Sequence, residues 1–332
     1  MCPKGSSVRF DRRQLLHLGA GAIACAAQPR AASAQPFPAR PVKIVVPFAP
    51  GGIGDILVRL VSAQLQGRLG QPFIIENRPG AGGNLGAEMV AKAPADGYTL
   101  LSTGAVNTIN ASYYDKLNFD FVRDIAPVAG ITHGPLFMVV HPSVPAQSVP
   151  ELIAYAKANP GKIAMASSGN GTAPHLSGEL FKMMAGVDMV HVPYRSEGPA
   201  ITDVVTGQVQ LMFPNPPAAI EHIRDGRLRA LAVTSAEPVA ALPGVPALGS
   251  FVPGYEATSW LGLGAPRGTP QDVIERLNRE VNESLAAPEL RDRIAALGST
   301  PFLVTPAELA AFTVATTDKW AKVIAFAGIK AQ

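Results

Sequence analysis

Cysteine is nearly absent: the chain has two, Cys2 and Cys25, and both lie ahead of Ala34. The remainder therefore has no disulfide, no thiol nucleophile and no cysteine-ligated metal. Histidine pairing is missing as well. Six histidines occur, of which His17 also lies ahead of Ala34, and none forms an H-E-x-x-H or H-x-H pattern. Long apolar runs are lacking too. Leu15 to Ala27 is too short for a bilayer, which needs about 20 residues. No repeat or low-complexity segment occurs. These absences exclude a disulfide scaffold, a zinc site of common spacing and a repeat array.

The segment from Met1 to Ala34 has the layout of a secretory signal. Arg9, Arg12 and Arg13 precede the apolar run, and Ala32-Ser33-Ala34 follows it, so cleavage is expected after Ala34. Arg12-Arg13 before Gln14-Leu15-Leu16 resembles a twin-arginine export signal. Ala-Ile-Ala-Cys25 is a poor lipoprotein box without the usual leucine. The segment holds five basic residues, Lys4, Arg9, Arg12, Arg13 and Arg30, and one acid, Asp11; of the 28 basic and 25 acidic residues overall, 23 and 24 remain after it, and the net charge moves from +3 to −1. No basic patch remains to attract nucleic acid. A core needs no staples at this size, and two domains are expected.

Short β-branched runs alternate with longer amphipathic ones. Strands are predicted at 42–46, 73–76 and 98–102, then near 163–167, 189–192, 209–213, 228–233 and 260–264. Helices are predicted over 56–69 and 85–93. Such alternation implies parallel sheets covered on both faces. Ser148-Val149-Pro150-Glu151, Thr269-Pro270-Gln271-Asp272 and Thr305-Pro306-Ala307-Glu308 have the pattern of capping boxes. After Thr269, Val273, Ile274, Leu277, Val281 and Leu285 line one helical face. Pro-rich stretches at 141–150 and 242–255 mark two crossings between lobes. They divide the chain into 36–140 plus 256–332 and 141–255, a hinged pair with a cleft.

Three strand-to-helix loops carry the chemistry. Pro47 to Asp55 contains three glycines whose N–H groups suit an anion at a helix start, with Asp55 either the helix N-cap or a ligand contact. Glu76 to Gly86 has a G-x-G-x-x-x-G spacing, near a dinucleotide fingerprint, but no acidic residue follows at a second strand end. Ser167 to His175 offers two glycines, three hydroxyls and free N–H donors, which suit a carboxylate or phosphate. His175 either caps the turn or touches the ligand. No catalytic constellation stands out; Ser168 lacks the G-x-S-x-G elbow.

In this order, IVVPFAPGGIGD (44–55), IIENRPGAGGNLGAE (74–88), ADGYTLL (95–101), SSGNGTAPHLSGELF (167–181), HVPYRSEGPAITDVVTGQVQLMF (191–213), GRLRALAVTS (226–235) and PGYEATSWLGLGAPRGTP (253–270) resemble the extracytoplasmic substrate-binding proteins of tripartite tricarboxylate transporters, the Bug or TctC-like family. The resemblance implies an α/β, two-lobed periplasmic-binding-protein fold of the second type, each lobe a mostly parallel sheet flanked by helices. It implies a periplasmic monomer without cofactor, holding a small carboxylate between lobes and presenting it to transporter membrane subunits or to a membrane sensor. By position, Phe48, Gly51, Gly52 and Asp55 would form one wall of the cleft. Ser168, Gly169, Gly171, Thr172 and His175 would form the other, with Thr103 and Asn215 at the same cleft. A secreted nucleotide-dependent oxidoreductase is the competing class; it would need a cofactor-specific acid. The chain departs from the family pattern at Tyr194-Arg195-Ser196-Glu197-Gly198, where Tyr-Lys-Gly is usual. It departs again at Ser235-Ala236-Glu237-Pro238, which lacks an arginine, and at Gly249-Ser250, which lacks an acid.

Overall fold

The β-branched runs form strands and the amphipathic runs form helices in a computed structural model that describes residues 37–331. The signal-like segment, with Cys25 and the expected cut after Ala34, lies outside the described residues. The chain runs β1 (Val42–Val46), α1 (Ile53–Leu69), β2 (Phe73–Asn77), α2 (Asn84–Ala91), β3 (Thr99–Gly104), α3 (Ala105–Tyr113), a short α4 (Phe121–Asp124) and the long β4 (Ile125–Pro135). It continues with β5 (Phe137–Val140), α5 (Val149–Ala158), β6 (Ala164–Ser167), α6 (Ala173–Ala185), β7 (Val190–Pro193), α7 (Glu197–Val205), β8 (Leu211–Met212), α8 (Pro216–Arg224) and β9 (Arg229–Val233). It closes with β10 (Thr258–Pro266), α9 (Gln271–Ala286), α10 (Pro288–Ala296), β11 (Thr300–Pro301) and α11 (Pro306–Ala327). Among the described residues no helix is long and apolar enough to cross a membrane.

Two sheets result, ordered β11-β4-β10-β3-β1-β2 and β7-β6-β8-β5-β9. Each is mixed, which corrects the expectation of mostly parallel sheets. β1 is parallel to β2 and β3, and β6 to β7 and β8. β10 runs antiparallel to both β3 and β4, β11 to β4, and β5 to β8 and β9. The reversed strands adjoin the crossings. A strand that leaves one sheet or returns from the other enters from the end opposite to a βαβ unit. β4 and β5 lie outside the strands that the sequence pattern predicts. β5 is buried along its whole length, with Met138 and Val140 in one core cluster and Phe137 and Val139 in another. It already pairs in the second sheet, so the chain passes between the sheets at Leu136, ahead of the Pro-rich 141–150 stretch.

The registers place both crossings at one end of each sheet. Leu261 of β10 lies opposite Gly104, the last residue of β3, and Thr258 lies opposite Pro135, the last of β4. In the second sheet Val139 lies opposite Met212, and Phe137 N–H donates to the Pro214 carbonyl at 3.0 Å. The C-terminal ends of the parallel strands in both sheets therefore border the same seam. Contacts cross it. The Tyr113 ring at the end of α3 lies 3.0 Å from where a Cβ on Gly171 would sit. Ala173, first in α6, packs against the cluster of Ala105, Trp260 and Leu309. Trp320 of α11 is fully buried among residues that include Leu176 and Phe181 of α6.

Helix starts follow local chemistry unevenly. Thr305 makes the full box: its hydroxyl accepts the Glu308 N–H at 3.2 Å and its own N–H donates to the Glu308 carboxylate at 2.8 Å. Ser148 accepts from Glu151 N–H at 3.4 Å, while Glu151 reaches back to Gln147 N–H at 2.7 Å instead of Ser148. Thr269 is no cap. Its hydroxyl donates to the Pro266 carbonyl at 2.8 Å, and α9 begins after Pro270. The apolar face of α9 behaves as its spacing requires: Val273, Ile274, Leu277, Val281 and Leu285 are all buried.

Candidate functional site

The loop after β1 opens α1 with its glycines in distinct roles. Gly51 adopts φ +87°, a left-handed conformation, whereas Gly52 at φ −72° accepts the Ile56 N–H as N-cap. The helix begins at Ile53, earlier than the periodicity suggests. Asp55 is consequently not the N-cap: it sits in the first turn and turns its carboxylate inward. One oxygen accepts from Gly51 N–H at 3.0 Å and from Arg59 Nε at 2.9 Å; the other accepts from Asn77 Nδ2 at 2.9 Å. The Arg59 guanidinium, above all, holds the Asp55 carboxyl down at about 2 against the opposing effect of burial. Asp55 is a ligand of its own loop, and Asn77 also donates to the Phe48 carbonyl at 3.0 Å. What remains for an anion are the first N–H groups of α1, which have no intrahelical acceptor; the ring of Phe48 in the same loop is half-exposed.

The loop after β2 packs tightly beside it. A Cβ on Gly80 would sit 2.5 Å from Leu85 Cδ1, and one on Gly86 would sit 3.1 Å from the Arg78 carbonyl oxygen. These glycines serve close packing of loop on helix. Asp96 is engaged elsewhere: its carboxylate accepts from Arg40 at 2.9 Å and from Tyr98 N–H at 3.0 Å, before β3 begins. The nucleotide pattern lacks its acid. Three asparagines that motif reasoning does not single out lie underneath. Asn110 Nδ2 donates to the Gly82 carbonyl and to Asn84 Oδ1, both at 2.9 Å, and Asn107 Oδ1 accepts Gly104 N–H at 2.9 Å. The Nδ2 groups of Asn84 and Asn107 are buried and unpartnered among the described residues.

The loop after β6 is held from below by two imidazoles. His175 is 2 % exposed, and its Nδ1 accepts Gly171 N–H at 3.1 Å, so the neutral ring carries its proton on Nε2. His191 from β7 stacks on it and hydrogen-bonds Ser167 Oγ at 2.7 Å through Nε2. Ser167 in turn receives Gly169 N–H at 3.2 Å, and the Thr172 hydroxyl donates to the Gly169 carbonyl at 2.7 Å. Burial lowers both histidine pKa values, to about 3 for His175 and about 4 for His191, with Lys182 acting in the same direction. His175 thus caps the turn and takes the Gly171 N–H with it. Ser168, Asn170 and Ala173 keep N–H groups without a partner among the described residues, as does the Ser168 hydroxyl. They leave unpaired donors at the start of α6, where an anion is favoured.

The two remaining candidates have other surroundings. Thr103 is buried on the sheet face and lines a cavity of about 90 Å³ with Phe121, Ile125, Pro127, Leu309 and Thr313. That cavity lies under α11. Asn215 is the N-cap residue of α8, and its N–H and side-chain amide both donate to Glu197, at 2.6 Å and at 3.1–3.2 Å. Phe48, Gly51, Gly52 and Asp55 thus gather on the first sheet's side of the seam. Ser168, Gly169, Gly171, Thr172, His175 and Asn215 gather on the second's. Among the described residues no cluster of three or more metal-ligating side chains occurs.

Residues 57–329 match the family model described as the tripartite tricarboxylate transporter family receptor, TctC. A protein from R. palustris solved with adipate is 38 % identical, with a TM-score of 0.77 over 89 % of this chain and 99 % of that one. The periplasmic binding protein BugD is 32 % identical, with a TM-score of 0.74 over 89 % of this chain and 100 % of its own. MatC from Rhodopseudomonas palustris, solved with bound malate, is 33 % identical, with a TM-score of 0.74 over 87 % of this chain and 100 % of its own. The chain belongs to the TctC receptor family, a family of periplasmic solute-binding proteins and not of enzymes, and has their fold.

Proposed function

We propose that this TctC-family receptor is exported to the periplasm, captures a small carboxylate in the seam between its two sheets, and hands it to the membrane subunits of a tripartite transporter. The unpaired N–H groups of Ser168, Asn170 and Ala173 carry the reading. They lie, with no acid among them, at the positive end of α6. Across the seam, the start of α1 offers further N–H groups, and the one acid there, Asp55, is neutralised by Arg59. Two strand-end loops that present donors toward a shared seam suit a short acid held at both ends. The bound adipate and malate of the relatives accord with this. The first sheet with its helices and the second with its own act as two lobes, joined at Leu136 and again between Val233 and Thr258. The receptor works as a monomer, without cofactor and without nucleic acid.

A thermal-shift screen of mono-, di- and tricarboxylates on the mature protein tests this. A ligand at 100 times its dissociation constant adds about 2.7 kcal/mol, which raises the melting temperature of a chain this size by several degrees, at roughly 2 °C or more per kcal/mol. A shift with NAD or NADP and none with any acid would overturn the proposal. Mass analysis of exported material should place the N-terminus at Gln35.

A further inference from the structure

Two buried carboxamides where α2 meets α3 each carry a donor that nothing accepts. Asn84, first in α2, is 5 % exposed, and Asn107, in the first turn of α3, is 2 % exposed. Their orientations are forced. Asn110 Nδ2 donates to the Gly82 carbonyl, which can only accept, and the same nitrogen faces Asn84, so the Asn84 atom opposite it is Oδ1. Asn107 Oδ1 accepts the Gly104 N–H, which can only donate. Turning either amide over would set donor against donor. The Nδ2 groups of Asn84 and Asn107 are therefore left over, buried and without an acceptor among the described residues.

The two donors adjoin the seam. Asn107 and Asn110 are three residues apart and share the face of α3 that meets the start of α2. β1 lies between β2 and β3 in the sheet, so the junction of α2 with α3 stands over the end of β1. A Cβ on Gly83, immediately before Asn84, would sit 3.3 Å from Pro47 Cβ and 3.6 Å from Phe48 Cζ, in the loop that opens α1. On the other side Ala105, first in α3, belongs to the cluster against which Ala173 of α6 packs. The first turn of α3 thus reaches the start of α6, and Asn84 reaches the start of α1. The acid in this neighbourhood, Asp55, already spends its oxygens on Gly51, Arg59 and Asn77.

We infer that Asn84 and Asn107 are specificity-determining residues whose Nδ2 groups receive a second acidic group of the ligand, the first carboxylate being held at the start of α6. This rests on the carboxylate reading above. Two donors from two residues match the two oxygens of one carboxylate. A site built to hydrogen-bond a polar group rejects an analogue that leaves its buried donors unpaired, far more strongly than an apolar pocket rejects a lost methylene. A monoacid of the same chain length brings a methyl group to these donors. The bland role, packing of α2 on α3, accounts for Asn110 and for both Oδ1 atoms but leaves the two Nδ2 groups idle; it predicts lost stability on substitution and no change in ligand choice.

Calorimetry with matched pairs separates the two: succinate against butyrate, glutarate against valerate, and adipate against hexanoate. The wild-type protein should bind the diacid of at least one pair about tenfold more tightly or better, the size of a hydrogen bond to a charged group. Asn84→Asp and Asn107→Asp keep the oxygen that faces Asn110 or takes the Gly104 N–H, and put a second oxygen in place of the idle donor. Asn107→Ala removes the donor without adding charge. Each variant, checked for folding by its melting curve, should bring the two affinities of that pair close to equality and leave the monoacid bound as before. Monoacids bound as tightly as diacids by the wild type would overturn the inference and leave the carboxylate reading standing. So would a preference that survives all three substitutions, or variants that weaken both members of a pair alike. Failure of every acid to bind the wild type would overturn the two together.

Discussion

The imidazole of His175 stacks on that of His191 with ring centroids 3.7 Å apart and planes within 10°. Each ring then grips a different point of the same loop, His175 at Gly171 and His191 at Ser167. Two cationic rings at that separation would repel, so the stack is a device of neutral histidines.

That neutrality has a pH signature. Both folded-state values, about 3 and about 4, lie below the 6.5 of an unfolded histidine. Above pH 6.5 neither state binds the proton and the full stability is present. Below it the unfolded chain takes up protons that the folded chain refuses, so stability falls as pH drops from about 6.5 to 4. The slope is about 1.4 kcal/mol per pH unit for each histidine. Urea denaturation across this range should show it, and His191→Gln should remove about half. A stability flat from pH 7 to 4.5 would contradict the neutral stack.

Asp55 behaves oppositely. Its carboxyl is depressed to about 2, so its contribution is present above 3.8 and is lost as pH falls through 2. Asp55→Asn is not conservative here. The carboxylate accepts from Gly51, Arg59 and Asn77, and an amide nitrogen facing any of these donors breaks that bond. The expected loss is about 2 kcal/mol, the scale of a hydrogen bond to a charged group. Calorimetry should also show weaker binding of every ligand, because the Gly51 turn loosens. A change confined to ligands bearing hydroxyl or amino groups would mean that Asp55 touches the ligand after all.

Gly171 couples the third loop, after β6, to the first sheet's side. It holds φ +71°, and a Cβ would meet the Tyr113 ring at 3.0 Å. Gly171→Ala should destabilise the fold by about 1–3 kcal/mol through backbone strain and lower affinity further. Gly186→Ala is the control: its φ is +62° but nothing lies within 4 Å of the added carbon, so strain alone should appear, without the loss of affinity.

The three loops are legible in the sequence because glycine clusters after β-branched runs have a local cause. The parallel strands are legible for the same reason. β4 and β5 are not, since Pro127, Gly130 and the Gly134-Pro135 pair interrupt Ile125 to Val140 like breakers in place of any alternation, and the burial of β5 on both faces is a property of the assembled sheets. The partners of Asp55 are hidden by distance. Arg59 lies one helical turn on, but Asn77 comes from the next strand, and only the parallel register of β1 with β2 brings it near. His191 is hidden likewise, on the far side of α6 from His175 in sequence and adjacent only through the pairing of β6 with β7. Thr103 is legible as a strand-end residue, but the cavity it lines with Leu309 and Thr313 depends on the packing of α11 and is not.

Thr234 ties the two crossings together. Its hydroxyl accepts the Leu136 N–H at 2.7 Å and lies 3.1 Å from the Leu136 carbonyl and 2.5 Å from that of Ala257. Its backbone N–H and carbonyl pair with Leu136 and Ala257 as well, at 3.0 and 2.9 Å. Any closing of one lobe on the other turns about this knot. Small-angle scattering should therefore give a smaller radius of gyration at ligand saturation. Thr234→Val keeps the shape but leaves the buried Leu136 N–H without its acceptor, at a cost of about 1–3 kcal/mol. It should also slacken the crossings, so that the unliganded protein scatters as a broader distribution while the liganded form is unchanged. Identical profiles for both proteins, with and without ligand, would show that the seam is rigid and the site preformed.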